Sequence, residues 1–233
     1  MTPHKLCAYW PPRKEDIRDC ADKLARFLAA LSCHDPAFSH WYDRKAARRR
    51  ATPSAFDFRC NAHLVALLEQ GRNRQDVGKS VMEDLGFCIG LWNGEKSAKM
   101  TGLSVTCGLY ATVPGLGGNS LILDLPEDLG DLQQNDRMAE VLATVATTWE
   151  PDWAGVFSLD AMNTRDFNPV VPFVDWMVYV SLRLVPGQLA LPSAKIIDGL
   201  GTLVVVDRGQ EVGETSGHLE RVRVVEAALG LGS

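Results

Sequence analysis

The run Leu85–Trp92 (Leu-Gly-Phe-Cys-Ile-Gly-Leu-Trp) closes on Asn93-Gly94, and this stretch constrains the rest of the chain. Asn-Gly is among the strongest short-range hairpin signals, because a two-residue primed turn needs positive φ at both central positions. The spacing predicts a strand over Leu85–Trp92, a turn at Asn93-Gly94 and a second strand near Met100–Gly108. Polar turn material precedes it from Gly71 to Gly78, followed by a short helical segment. A hairpin of this kind belongs in a central sheet.

The flanking sequence supplies partners for that sheet. Lys5–Trp10 reads as a strand stopped by Pro11-Pro12. Arg13–Leu31 reads as an amphipathic helix, with Ile17, Cys20, Leu24, Phe27, Leu28 and Leu31 at three- and four-residue steps. Asp35-Pro36 opens a short helix through Phe38, Trp41 and Tyr42, with Asp35 as N-cap and proline in the first turn. A further helix covers Asn61–Glu69 and ends at Gly71. Beyond the hairpin, Ser120–Leu125 is a strand and Met138–Trp149 a helix closed by Glu150-Pro151. Strands are predicted at Trp153–Leu159, Trp176–Leu184, Ala194–Leu200 and Thr202–Asp207, then a helix over Thr215–Leu229. In the second of these strands Trp176, Val178, Val180 and Leu182 alternate.

Helices and strands are segregated, not strictly alternated. The predicted class is therefore α+β, a largely antiparallel central sheet with helices packed against it. We expect one domain over residues 1–233. A two-lobed arrangement with a boundary near 149–153, or two similar halves on one continuous sheet, fits the same sequence.

With 233 residues, 46% apolar and 23% charged, the chain can bury a core without staples. No apolar run approaches the roughly 20 residues of a membrane span, and Met1–Cys7 lacks an apolar signal core. A cytoplasmic protein without membrane contact is expected, so Cys7, Cys20, Cys33, Cys60, Cys88 and Cys107 should be free thiols. The net charge of −5 is unevenly spread. Residues 1–75 carry 14 Lys and Arg against 8 Asp and Glu, whereas residues 76–233 carry 10 against 21. That balance argues against direct nucleic-acid contact and suits a larger part facing a basic partner.

Each candidate for chemistry meets a plainer explanation. Gly115–Gly118 lacks the Lys-Ser/Thr of a phosphate loop and precedes a strand, where a dinucleotide fingerprint would open a helix; Gly199-Leu200-Gly201 also runs into a strand. Cys60 with His63, and Cys33 with His34, offer no convincing four-ligand zinc set. Ser216-Gly217-His218 is a sequence adjacency, not a triad, and Ser216 or Thr215 reads as a helix N-cap. Asp124 with Glu127, or Glu83 with Asp84, could hold a divalent ion, but solvated surface accounts for the same letters. Arg44–Arg50 could meet phosphates, yet it has no interleaved aromatics for base stacking. The six tryptophans suit core packing, and tryptophan is also a favoured hot spot of protein interfaces. No catalytic residue, metal ligand or cofactor site emerges.

One set of motifs carries more. Tyr9-Trp10-Pro11-Pro12-Arg13, Asp35-Pro36 with Phe38 and Trp41, Arg72-Asn73-Arg74 with Asp76, Gly86-Phe87 with Leu91-Trp92-Asn93-Gly94, and Leu123-Asp124-Leu125-Pro126 occur in this order. In that order and spacing the chain resembles the immunity protein 52 family of bacterial polymorphic-toxin systems. The resemblance implies a non-enzymatic antidote that binds a cognate toxin, a nuclease with a restriction-endonuclease-like domain often delivered by type VI secretion.

Under that reading the acidic connector Asp124, Glu127, Asp128, Asp131 and Asp136, which contains no base, is the expected toxin-binding stretch. A nuclease must offer DNA a positive cleft, and an acidic protein can occupy or overhang it. The competing readings are a hydrolase or transferase, built around His218 with Asp207 or His63 with Cys60, and a secretion chaperone that inhibits nothing. Self-association stays open.

Overall fold

A computed structural model describes residues 2–44, 55, 57–112, 118–187, 189, 191–206 and 216–231. Its centre is strand β1 (His4–Trp10), the apolar hexapeptide before Pro11-Pro12 extended by one residue. In sequence order the other strands are β2 (Tyr42–Asp43), β3 (Phe87–Trp92), β4 (Gly102–Cys107) and β5 (Asn119–Asp124). They continue with β6 (Trp153–Ser158), β7 (Met177–Ser181), β8 (Ala194–Ile197) and β9 (Gly201–Val205). The nine form one sheet in the order β2-β3-β4-β5-β1-β6-β7-β9-β8. Every neighbouring pair is antiparallel, so the α+β class is as the sequence indicates. Two wings thus extend from β1, one through β5 to β2 and one through β6 to β8.

One face of the sheet packs on three helices. Helix α1 (Ile17–Leu31) buries Cys20, Leu24, Phe27, Leu28 and Leu31, the stripe expected from its spacing. It starts later than Arg13 because Asp16 caps it, accepting from the Arg18 and Asp19 amides at 2.7 and 2.9 Å. Arg13 instead donates its amide to the Leu109 carbonyl at 2.7 Å. Helix α2 (Asn61–Gln70) stops at Gly71, where a Cβ would lie 2.5 Å from the Cys88 carbonyl oxygen. Helix α3 (Asn135–Trp149) ends at Glu150 in the left-handed region, before Pro151. Trp149 stacks on Trp10 at 5.5 Å and meets Phe27 edge-on at 6.1 Å, joining α3, β1 and α1 around fully buried rings.

The opposite face is treated differently along the sheet. Over β6, β7 and β9 it is covered by the segment 165–174 and by helix α5 (Ser216–Ala228), which follows the short α4 (Leu159–Thr164) in chain order. Phe167, Phe173, Val222 and Val225 pack there on Trp153, Phe157, Val178 and Val204. Every residue of β7 is consequently buried, and the expected alternation through Leu182 is corrected. Met177 and Tyr179 bring large hydrophobic bodies between Val178 and Val180, so the strand lacks a polar face and is suited to burial on both sides.

Two further expectations are corrected. The β3–β4 hairpin exists, but Asn93-Gly94 is not its two-residue turn: the last strand pair is Trp92 with Gly102, and a loop spans Asn93–Thr101. The buried Asn93 side chain organises that loop, donating to the Lys99 carbonyl at 2.8 Å and accepting from the Thr101 amide at 3.1 Å. The helix expected through Tyr42 is a single turn, Pro36–Phe38, capped by Asp35. Trp41 is already fully buried, with its indole N–H on the Phe38 carbonyl, and Tyr42 opens β2.

Candidate functional site

The acidic connector leaves β5 at one end of the sheet and is shaped by its leucines. Leu125, Leu129 and Leu132 are buried, so the intervening Glu127, Asp128 and Asp131 face solvent. A single turn over Gly130–Gln133 leads into α3, where Asp136 lies exposed in the first turn. The local sequence has no base, yet the fold brings one to three of the five acids. Asp124 sits between Lys5 of β1 and the Arg44 guanidinium at 3.2 Å. Arg44 reaches it from the far side of two strands by passing over Gly102, where any Cβ would collide with the guanidinium. Asp128 meets the Lys99 ammonium at 3.1 Å and accepts from the Gly130 amide; these contacts hold its carboxyl below the usual carboxylate range. Asp136 pairs with Lys195 of β8 at 2.6 Å, which likewise lowers it. The carboxylates of Glu127 and Asp131 have no hydrogen-bond or ion-pair partner among the described residues.

Two clefts flank this edge. One of about 160 Å³ is lined by Pro3, His4, Lys5, Met100, Asp124 and Glu127, among others. A second, of about 300 Å³, opens between the Pro36 turn and the Asn93–Thr101 loop and is lined by Asp35, His40, Asn93, Glu95 and Lys99. Lys99 thus lies between the second cleft and the connector. Sequence reasoning missed Lys5, Arg44, Lys99 and Lys195 because each comes from a distant element: strand register sets Lys5 opposite Asp124, and the other three arrive through tertiary packing.

The other ionisable constellation is buried under the opposite wing. His218 of α5 sets Nε2 2.9 Å from Asp175, which also accepts from the Ser158 amide at 2.8 Å and lies 3.8 Å from Arg165. Burial opposes ionisation of Asp175. The His218 and Ser158 hydrogen bonds and the Arg165 charge outweigh it, so its carboxyl titrates below the usual range. Arg165 also donates to the Val174 carbonyl at 2.6 Å and lies over the Phe173 ring. The Ser158 hydroxyl caps α4 by accepting from the Ala161 amide, and neither cleft opens on His218. This arrangement fastens α5 and the segment 165–174 to the sheet.

The enzyme-like pairing of His218 with Asp207 involves a residue outside those described, as do most of Arg44–Arg50, Gly115–Gly117 and Thr215. His63 is exposed and Cys60 half-buried, and no group of three or more metal-ligating side chains occurs among the described residues. Within the same limit, all six cysteines are free.

The molecule is therefore an α+β protein that displays an acidic edge beside two clefts. It belongs to the immunity protein 52 family, whose profile matches residues 4–230. The family implies binding to a cognate toxin. Among solved structures, the Pseudomonas aeruginosa T6SS protein PA0821 shares the fold, with a TM-score of 0.59 at 14% identity over 99% of this chain and 73% of that one. No curated protein matches the chain.

Proposed function

We propose that this protein neutralises a cognate nuclease toxin, a DNA-cleaving type VI secretion effector, by binding it in the cytoplasm of the producer and its kin. The observation that carries the reading is the family match over nearly the whole chain. Inhibition comes from occupying a protein surface, without chemistry on a small molecule. The acidic edge suits such binding, because a DNA-cleaving domain is positively charged where it meets phosphate and opposite charge accelerates encounter. Glu127 and Asp131 are the acids whose field is least neutralised locally, so they lead in steering. The test is co-expression with the toxin encoded beside this gene, followed by affinity capture. Survival together with stoichiometric co-purification is the expected result. Unrelieved killing by a well-expressed chain would refute the proposal.

A further inference from the structure

Residues 73–82 form a hairpin whose order serves no packing of its own tip. The Gln75 amide donates to the Ser80 carbonyl at 3.0 Å, the Met82 amide to the Asn73 carbonyl at 2.9 Å, and Arg74 bridges Val81. Side chains tighten it: the Ser80 hydroxyl donates to Gln75 at 2.7 Å, and the Arg74 guanidinium to the Lys79 carbonyl at 3.3 Å. Its base is held by the Asn73 amide group on the Leu85 carbonyl of the turn before β3, at 3.2 Å, and is fixed to the sheet by Arg72, which bridges Phe87 and lies over its ring while paired with Glu69.

The tip does the opposite of what folding alone favours. Residues 74–80 are all exposed, and Val77, at 87%, is the most exposed large apolar side chain described. Lys79 is held at φ 54, a left-handed conformation that a non-glycine residue adopts at a cost, directly after Gly78 at φ 78. A Cβ added at Gly78 would find nothing within 4 Å. Of the motif Arg72-Asn73-Arg74 with Asp76, which contributes to the family resemblance, Arg72 and Asn73 seat a projecting finger and Arg74 tightens it, and the acidic edge uses none of them.

We propose that this hairpin is the anchoring element of the toxin interface. Val77 enters an apolar socket on the toxin, and acidic side chains at the socket's rim meet Arg74 and Lys79. The proposal rests on the immunity reading above. A pre-formed tip loses little conformational freedom on binding, so its contacts appear directly as affinity. The finger rises beside the start of β3, whereas the acidic connector leaves the end of β5, at the opposite end of the sheet. The two surfaces therefore divide the work. Charge at the connector governs the rate of encounter, and the apolar tip governs how long the complex lasts.

The experiment measures association and dissociation rates between this chain and a catalytically disabled form of the toxin domain encoded beside it. Val77→Asp should weaken binding about 10- to 100-fold through faster dissociation, with an unchanged melting temperature, and Val77→Leu should retain affinity. Lys79→Glu should weaken binding about tenfold. Wild-type affinity in Val77→Asp, or a loss that merely follows a lowered melting temperature, would overturn the finger while leaving the immunity reading intact. Absence of binding by the wild-type chain would overturn the immunity reading, and the finger with it.

Discussion

The two wings of the sheet are built to different specifications. Strands β7 and β9 present apolar residues on both faces, and β6 is buried along nearly its whole length under α3 on one side and α5 with segment 165–174 on the other. Strands β3, β4 and β5 alternate instead: Ile89, Leu91, Leu103, Val105, Leu121 and Leu123 point at the helices, while Cys88, Ser104, Thr106 and Ser120 on the other face are half-buried or exposed. Of the features suited to a partner, the acidic connector, the projecting hairpin and the cleft beside the Pro36 turn belong to elements attached to the alternating wing, and the other cleft lies at its border with β1 and reaches Leu159. The lesson is a division of labour. One wing supplies a two-sided core and its polar fasteners, and the other uses one face for stability and its ends for recognition.

The sharpest way to break this comparison is to place the same charge in each wing. Val178→Asp puts an unpaired carboxylate in the two-sided core and should cost more than about 4 kcal/mol, enough to unfold the chain. Cys88→Asp, on the exposed side of β3, should cost less than about 1 kcal/mol by urea denaturation. Equal losses would contradict the division.

The buried fastener comes next. His218→Ala strands the Asp175 carboxylate with fewer partners and should remove about 3 kcal/mol, loosening α5 in hydrogen exchange. The pH dependence has a definite sign. The Asp175 carboxyl titrates lower in the folded protein than in the unfolded chain, so its contribution is complete above the unfolded value of about 4 and fades as pH falls toward the folded one. Asp175→Asn should therefore lower stability at neutral pH and flatten the acid limb of the stability curve below about pH 4. An unchanged acid limb would deny Asp175 that role.

Smallest in stability is the acidic edge, whose effect falls on the rate of encounter. Glu127→Lys with Asp131→Lys should leave the melting temperature within about 2 °C and slow toxin association about tenfold at low salt, the difference shrinking as salt rises. Asp136→Asn should change the rate less, because Lys195 already neutralises that carboxylate. Identical association rates at low salt would remove the connector from the interface.

Local pattern explains which parts of this were legible in the sequence. The stripe from Cys20 to Leu31, the pairing of the Phe87–Trp92 and Gly102–Cys107 strands, and the stop at Gly71 each follow from spacing within a few residues. The Asn93-Gly94 turn misleads because Asn93 uses its side chain to bond across a longer loop, a choice set by Lys99 and Thr101 and not by the dipeptide. The connector illustrates the same limit in electrostatics. Five acids without a neighbouring base look like a strong negative field, and the tertiary fold then delivers Lys5, Arg44, Lys99 and Lys195 to three of them. Asp175 and His218 lie 43 positions apart with no motif to link them, so their contact is a property of the fold.

The central claim is that this protein works by covering a surface of its toxin. Titrating the purified chain into the active toxin domain while following DNA cleavage tests it most directly. The account predicts that cleavage stops near one equivalent and that a stable complex is recovered. Cleavage that persists at saturating excess of folded protein would contradict it.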